Sequence, residues 1–290
     1  MPDTSLHRRI IADLIEAGRG SPYAADANES DPRYLGYGVR AGAMQSVIAR
    51  YKPEVRKLDV DDQVALATAL IESGYGEQKR MALHILEQLP AYFTPDRFDA
   101  LDALIRQLHG WSKIDSFTGS VLKDVLERHP KAFLALVRRW NSDRDLWMRR
   151  ASVVLFTRKV ARSGQYTDVA LELCDRLKHD PQDMVRKGVG WCLKDMMRAD
   201  RKRVLDYVVS LRRQGVSSVI TLYALRDIKG AERAKVLARR RSSKETEAHS
   251  LRTSSRPRSG RRAADLRNAR APRNGRSGVA PPRPVPKAAR

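Results

Sequence analysis

The chain has 290 residues, 42% of them hydrophobic, which is enough for one or two domains with a substantial core. Its formal net charge of +22 at pH 7 favours a polyanionic partner, and nucleic acid is the first candidate. No apolar run approaches the roughly 20 residues that span a bilayer, and Met1 to Glu16 lacks the long apolar core of a secretory signal, so we expect a cytoplasmic protein without a membrane partner.

From about Ser5 to Ala238 the hydrophobic residues are spaced as in helices, without the sustained alternation that strands show. Glycine and proline breaks divide this region into about twelve helices of roughly 10–17 residues. Two of the breaks, Thr94-Pro95 and Asp180-Pro181, offer an N-cap side chain followed by proline at the first helical position. The candidate core stripes are Val64, Ala67, Leu70 and Ile71; Ala82, Ile85, Leu86 and Leu89; Phe98, Leu101, Leu104, Ile105 and Leu108; and Val121, Leu122, Val125 and Leu126.

Three short segments look like the same helix start: Lys79-Arg80-Met81-Ala82-Leu83, Arg149-Arg150-Ala151-Ser152-Val153 and Arg186-Lys187-Gly188-Val189-Gly190. Their offsets fit a repeat of about 35–40 residues with two helices per unit. We therefore predict an all-α, HEAT-like helical repeat solenoid of about six antiparallel helix pairs over residues 1–238. Basic residues at the same repeat position would line its concave surface, although they could equally form a solvated helix face.

Residues 239–290 have a different composition, with 16 Lys and Arg against 3 Asp and Glu, several prolines and no aromatic residue. Such a segment buries too little apolar surface to offset its ordering entropy, so we predict a disordered, basic, Arg/Pro-rich tail. It would increase non-specific DNA affinity through counterion release. The alternative is a solubilising tail without a dedicated role.

Familiar catalytic and cofactor signatures are absent from the sequence. The six histidines lack metal-ligand spacing, no phosphate-binding glycine loop occurs, and no Ser/His/Asp or Cys/His arrangement can be assembled. We expect no metal and no cofactor. Cys174 and Cys192 form no C-x-x-C pair, and we expect both to be buried, reduced thiols.

Three tryptophans lie beside ionisable groups or glycine. Trp111 and Asp115 are four residues apart, and Trp147 and Arg150 are three apart, so each pair shares a helix face. Trp191 directly follows a glycine. Each feature alone is also compatible with ordinary packing, and Trp147 is expected to be a core residue.

Taken together, Gly110-Trp111-Ser112-Lys113-Ile114-Asp115, Leu146-Trp147-Met148-Arg149-Arg150-Ala151 and Lys187-Gly188-Val189-Gly190-Trp191-Cys192-Leu193 resemble the AlkD-like DNA alkylation repair family of HEAT-like DNA glycosylases. The resemblance covers roughly residues 33–228. It implies a site made of Trp111, Trp191, Asp115 and Arg150, and excision without drawing the damaged base into a pocket.

The chemistry fits these residues. A purine alkylated at N3 or N7 is cationic and leaves readily, so little general-acid help is needed. Asp115 would stabilise the oxocarbenium-like transition state and position water, while Trp111 and Trp191 would face the deoxyribose. Arg150 would hold a backbone phosphate.

These expectations define a monomeric, nucleoid-associated enzyme acting on duplex DNA that contains alkylated purines. Five further basic residues are candidates for DNA contact: Arg149, Lys187, Arg186, Lys113 and Arg80. Two other functions stay open. One is a non-catalytic HEAT-like protein that binds branched or distorted DNA, and the other is a protein–protein scaffold whose tail contacts nucleic acid incidentally.

Overall fold

The computed structural model describes residues 4–22 and 35–238, so the predicted tail at 239–290 lies outside the described residues. Within these two ranges the chain is helical, and the β-type pairing found there is an isolated bridge between Leu35 and Tyr75. The predicted all-α fold is confirmed. The α-helices are α1 (Thr4–Gly18), α2 (Ala41–Val55), α3 (Val60–Glu72), α4 (Gly76–Leu86), α5 (Phe98–Arg106), α6 (Trp111–Phe117), α7 (Lys123–Arg128), α8 (Pro130–Asn141), α9 (Leu146–Val154), α10 (Arg158–Ser163), α11 (Thr167–Arg176), α12 (Asp183–Met196), α13 (Arg201–Arg213), α14 (Ser218–Ala224) and α15 (Gly230–Leu237).

Several helices are shorter than predicted. Short 3₁₀ turns at Pro90–Tyr92 and Pro95–Arg97 precede α5, and a π-helical turn at Thr118–Leu122 separates α6 from α7. Over a single turn, 3₁₀ and π geometry keep side chains at nearly helical spacing, so the hydrophobic pattern does not reveal these interruptions. The predicted stripes nevertheless face the core: for example, Ala67 and Leu70 are fully buried.

The helices that carry the predicted site form a row. Helices α4, α6, α9, α12 and α14 pack side by side in that order. The three similar segments of the sequence begin at the fourth residue of α4, α9 and α12, so the internal similarity corresponds to equivalent positions in this row. Trp147 on α9 is buried in the core, as expected from its packing role.

Of the two predicted helix starts, Thr94-Pro95 is found in part: Pro95 begins a 3₁₀ turn before α5, but the Thr94 side chain makes no capping hydrogen bond. Asp145 caps α9 by accepting a hydrogen bond from the backbone N–H of Trp147 at 2.8 Å. The prediction that Asp180 caps a helix with Pro181 at its first position is wrong, because α12 begins at Asp183. The Asp180 carboxylate accepts hydrogen bonds from the backbone N–H of Gln182, ahead of the helix, and from the side chain of Arg149.

Three remaining expectations are compared with the structure for the described residues only. None of their helices combines the length and apolar character needed to traverse a bilayer. Cys174 and Cys192 are buried and not disulfide-bonded, as predicted. In the same ranges, His, Cys, Asp and Glu side chains form no group of three or more that could hold a metal ion.

Candidate active site

Helix α6 carries the predicted carboxylate one turn after its first residue. Gly110, at φ +85°, adopts a left-handed conformation that favours glycine and turns the chain into α6. Trp111 follows and is 49% exposed, whereas Asp115, one turn later, is only 5% exposed. Both side chains line an open cleft of about 410 Å³, called here the site cleft. Its lining is Trp111, Ser112, Asp115, Ser116, Arg150, Arg158, Met184, Lys187, Trp191 and Tyr223.

Asp115 and Arg150 form a buried ion pair across α6 and α9. Arg150 Nε donates to Asp115 Oδ1 at 2.9 Å and Nη2 donates to Oδ2 at 2.8 Å. Arg150 is itself 5% exposed, and its Nη1 donates to the backbone carbonyl of Met184. A bidentate guanidinium fixes the plane of a carboxylate as well as its position.

Glycine on α12 makes room for this pair. A β carbon at Gly188 would lie 3.4 Å from Arg150 Cγ, in close van der Waals contact. At Gly190 a β carbon would come within 2.6 Å of Tyr223 Cβ and 2.8 Å of the Ile220 carbonyl oxygen on α14. The glycines therefore let α12 approach both neighbours closely, which brings Trp191 to the cleft.

Trp191 is held by a carboxylate that the sequence analysis did not single out. Its Nε1 donates to Asp195 Oδ2 at 3.0 Å, one turn further along α12. Asp195 is 2% exposed, and Lys194 Nζ lies 3.0 Å from its Oδ1. The signal was present in the sequence, because Trp191 and Asp195 repeat the four-residue spacing of Trp111 and Asp115.

The predicted DNA-binding residues are not all free to contact DNA. Arg149 is paired with Asp180 through Nε at 2.6 Å and also donates to backbone carbonyls. Arg186 Nε donates to the Asp180 carbonyl and its Nη1 to Asp183. Arg150 is buried against Asp115. Existing hydrogen bonds within the protein already use several donors of each of these three arginines, which makes them poorer candidates for a phosphate contact than the sequence predicted.

The other three candidates border open space. Lys187 is exposed and lines the site cleft, and Arg80 is exposed and lines a larger neighbouring groove of about 700 Å³. Lys113 lines the same groove but is 9% exposed, and burial lowers its pKa from 10.5 to about 8. The charge of Glu77 opposes that shift, while the charges of Arg80 and Lys79 add to it.

Comparison with known proteins identifies the family. The family model described as DNA alkylation repair enzyme matches residues 29–228. Among solved structures, a protein described as a predicted DNA alkylation repair enzyme from Enterococcus faecalis shares the fold, with a TM-score of 0.60 and 12% identity over 80% of this chain and 98% of that one. A search among curated proteins found no match. Because the family model covers well over half of the chain, the protein belongs to the DNA alkylation repair enzyme family.

Proposed function

We propose that the protein is a DNA glycosylase that hydrolyses the N-glycosidic bond of cationic N3- or N7-alkylated purines in duplex DNA. The observation that carries this proposal is the carboxylate of Asp115, which lines the same cleft as the indoles of Trp111 and Trp191. Family membership supports a role in DNA alkylation repair. The reaction itself is inferred from the chemistry of the cleft.

The proposed reaction needs one anion and a water molecule. The bond between C1′ and the purine nitrogen breaks, and both electrons leave with the cationic base, which departs neutral. The Asp115 carboxylate stabilises the positive charge left on the sugar. Water then adds to C1′ and gives its proton to Asp115 or to solvent, which leaves an abasic site. The indole faces of Trp111 and Trp191 favour the same cationic sugar by roughly 0.5–2 kcal/mol each.

Arg150 acts in this scheme through Asp115. Its two hydrogen bonds hold the carboxylate in one orientation, and its third, to Met184, ties the pair to α12. We therefore revise its expected role from phosphate contact to positioning residue. Exposed Lys187 and Arg80 stay as candidates for phosphate contact, together with Lys113 in the groove.

One arrangement favours a second candidate function. Both oxygens of Asp115 already accept hydrogen bonds from Arg150, as they would in a purely structural ion pair. A protein that binds branched or distorted DNA without cleaving it would keep such a pair for stability. Base release is the property that separates the two candidates.

The deciding experiment uses a duplex with a single 7-methylguanine under enzyme excess, and measures free base by chromatography. Wild type should release the base. Asp115→Asn should slow release by about 10²–10³-fold, the range typical for loss of one electrostatic stabiliser. Asp206→Asn is the matched control, since Asp206 is exposed on α13 and pairs only with Lys202 among the described residues. Its rate should equal that of wild type.

A second variant guards against unfolding of Asp115→Asn. Trp111 is half exposed, so Trp111→Ala should fold with an unchanged melting temperature. It should release base roughly 2–30-fold more slowly because one indole face is lost. Absence of release by wild type, combined with preferential binding to bulged over plain duplex, would overturn the enzymatic proposal and leave the DNA-binding protein.

A further inference from the structure

Arg158 has an unusual backbone at the edge of the site cleft. It begins α10 with φ +53°, the one positive φ of a non-glycine residue in the described ranges. This conformation is uncommon for arginine and costs about 1 kcal/mol or more. Its backbone N–H donates to Asp195 Oδ2 at 2.8 Å, the same oxygen that accepts the Trp191 indole N–H. Asp195 therefore fixes both Arg158 and Trp191.

The side chain of Arg158 returns to the helix that carries Asp115. Its guanidinium carbon lies 4.7 Å from the centre of the Trp191 ring, and its Nη1 donates to the backbone carbonyl of Asp115 at 2.9 Å. Gly119, in the π-helical turn, leaves the necessary room, since a β carbon there would lie 2.3 Å from Arg158 Nη1. Such turns frequently occur at functional sites.

The charge of Arg158 is available, unlike that of Arg150. Arg158 is exposed, and no carboxylate of the described residues lies within ion-pair distance of its guanidinium. It also lines both the site cleft and the larger groove, together with Ser112 and Ser116. Of the three residues that line both cavities, Arg158 is the one with a positive charge. A DNA strand that ran from the site cleft to the larger groove would pass Arg158.

We propose that Arg158, rather than Arg150, binds the phosphate next to the nucleotide that occupies the site cleft. The planar guanidinium suits a phosphate oxygen pair, and stacking on Trp191 restricts its motion before DNA arrives. The proposal rests on the proposed function only in taking DNA as the ligand, because phosphate binding requires no bond cleavage. A glycosylase and a non-catalytic DNA-binding protein would both use it.

The test measures binding and not catalysis. A duplex containing a tetrahydrofuran abasic analogue is titrated with wild type and Arg158→Gln at several salt concentrations. Arg158→Gln should weaken binding about threefold to tenfold at low salt and reduce the slope of log affinity against log salt by about 0.9. Arg158→Lys should keep the slope. Lys159→Gln is the control at the neighbouring position, because the Lys159 side chain is 72% exposed and lines neither the site cleft nor the larger groove. This variant should keep the wild-type affinity and slope.

Arg150→Gln separates the two arginines. With its fold checked by circular dichroism, it should keep the wild-type salt slope, since Arg150 contributes no phosphate contact in this proposal. A wild-type slope for Arg158→Gln overturns the proposal, even if affinity or melting temperature falls, because that result describes a purely positioning residue. The binding measurement does not depend on whether the wild-type protein releases base, so the phosphate-binding proposal and the glycosylase proposal can be refuted independently.

Discussion

Asp115 and Arg150, 35 positions apart in sequence, meet through two parallel hydrogen bonds of 2.9 and 2.8 Å in the wall of the site cleft. Each residue is 5% exposed. The pair joins α6 to α9, and the bond from Arg150 to Met184 extends the connection to α12. The carboxylate proposed for catalysis and the arginine that positions it thus also connect three helices.

The ion pair should show strong energetic coupling. Asp115→Asn or Arg150→Gln alone should each cost about 3–5 kcal/mol of unfolding free energy, because each leaves a buried partner unmatched. The double variant should cost less than the sum by about 1–3 kcal/mol. Urea unfolding of all four proteins at pH 7 measures this coupling. The exposed pair Lys202 and Asp206 is the control cycle, with an expected coupling of at most about 0.5 kcal/mol. Additive costs at Asp115 and Arg150 would contradict the prediction.

Lys113 should make folding stability depend on pH. Burial lowers its pKa from 10.5 to about 8, so between these values the unfolded chain keeps a proton that the folded chain has released. Its contribution to stability therefore rises with pH across this window and is least favourable below pH 8. Lys113→Met should accordingly raise the unfolding free energy at pH 7 by about 1–3 kcal/mol, and the gain should vanish above pH 10.5.

Thermal unfolding of wild type and Lys113→Met at a series of pH values tests this expectation. Lys159→Met is the matched control, because an exposed lysine should show little difference from wild type at any pH. A stability difference at Lys113 that stays constant from pH 7 to 11 would argue against a lowered pKa.

Gly190 should be intolerant of even one methyl group. A β carbon there would meet Tyr223 Cβ at 2.6 Å and the Ile220 carbonyl at 2.8 Å, so α12 and α14 would have to separate. Gly190→Ala should lower the unfolding free energy by about 1–3 kcal/mol and displace Trp191 from the cleft. Gly42→Ala on α2 meets nothing within 4 Å and should be neutral or stabilising by up to about 1 kcal/mol. Chemical denaturation of both variants provides the comparison, and equal stabilities would refute the packing argument.

The pairing of tryptophan with aspartate could be predicted from the sequence, because it depends on spacing within one helix. Trp111 and Asp115 share the site cleft, as four-residue spacing predicts. The same rule applied to Trp191 would have found Asp195. Arg158 gave no such signal, since its importance comes from a positive φ and from contacts with residues far away in the chain.

The partners of the charged residues could not be predicted from the sequence. Arg149, Arg150 and Arg186 look alike as basic positions at helix starts, yet Arg149 pairs with the carboxylate of Asp180, Arg150 with that of Asp115, and Arg186 with that of Asp183 on its own helix. The pairing of Arg149 with Asp180 and of Arg150 with Asp115 depends on contacts between elements that lie more than 30 residues apart in the chain.

The sequence by itself determined the all-helical class, the residues of the core and the single-turn pairing of tryptophan with aspartate, because hydrophobic periodicity and helix spacing are local properties. Only the tertiary structure decided which charges are paired inside the protein and which stay exposed on its surface. Ion pairing and desolvation depend on groups that the fold brings together. The packing of α6, α9, α10 and α12 is therefore what makes Arg150 a buried, paired residue and Arg158 an exposed one.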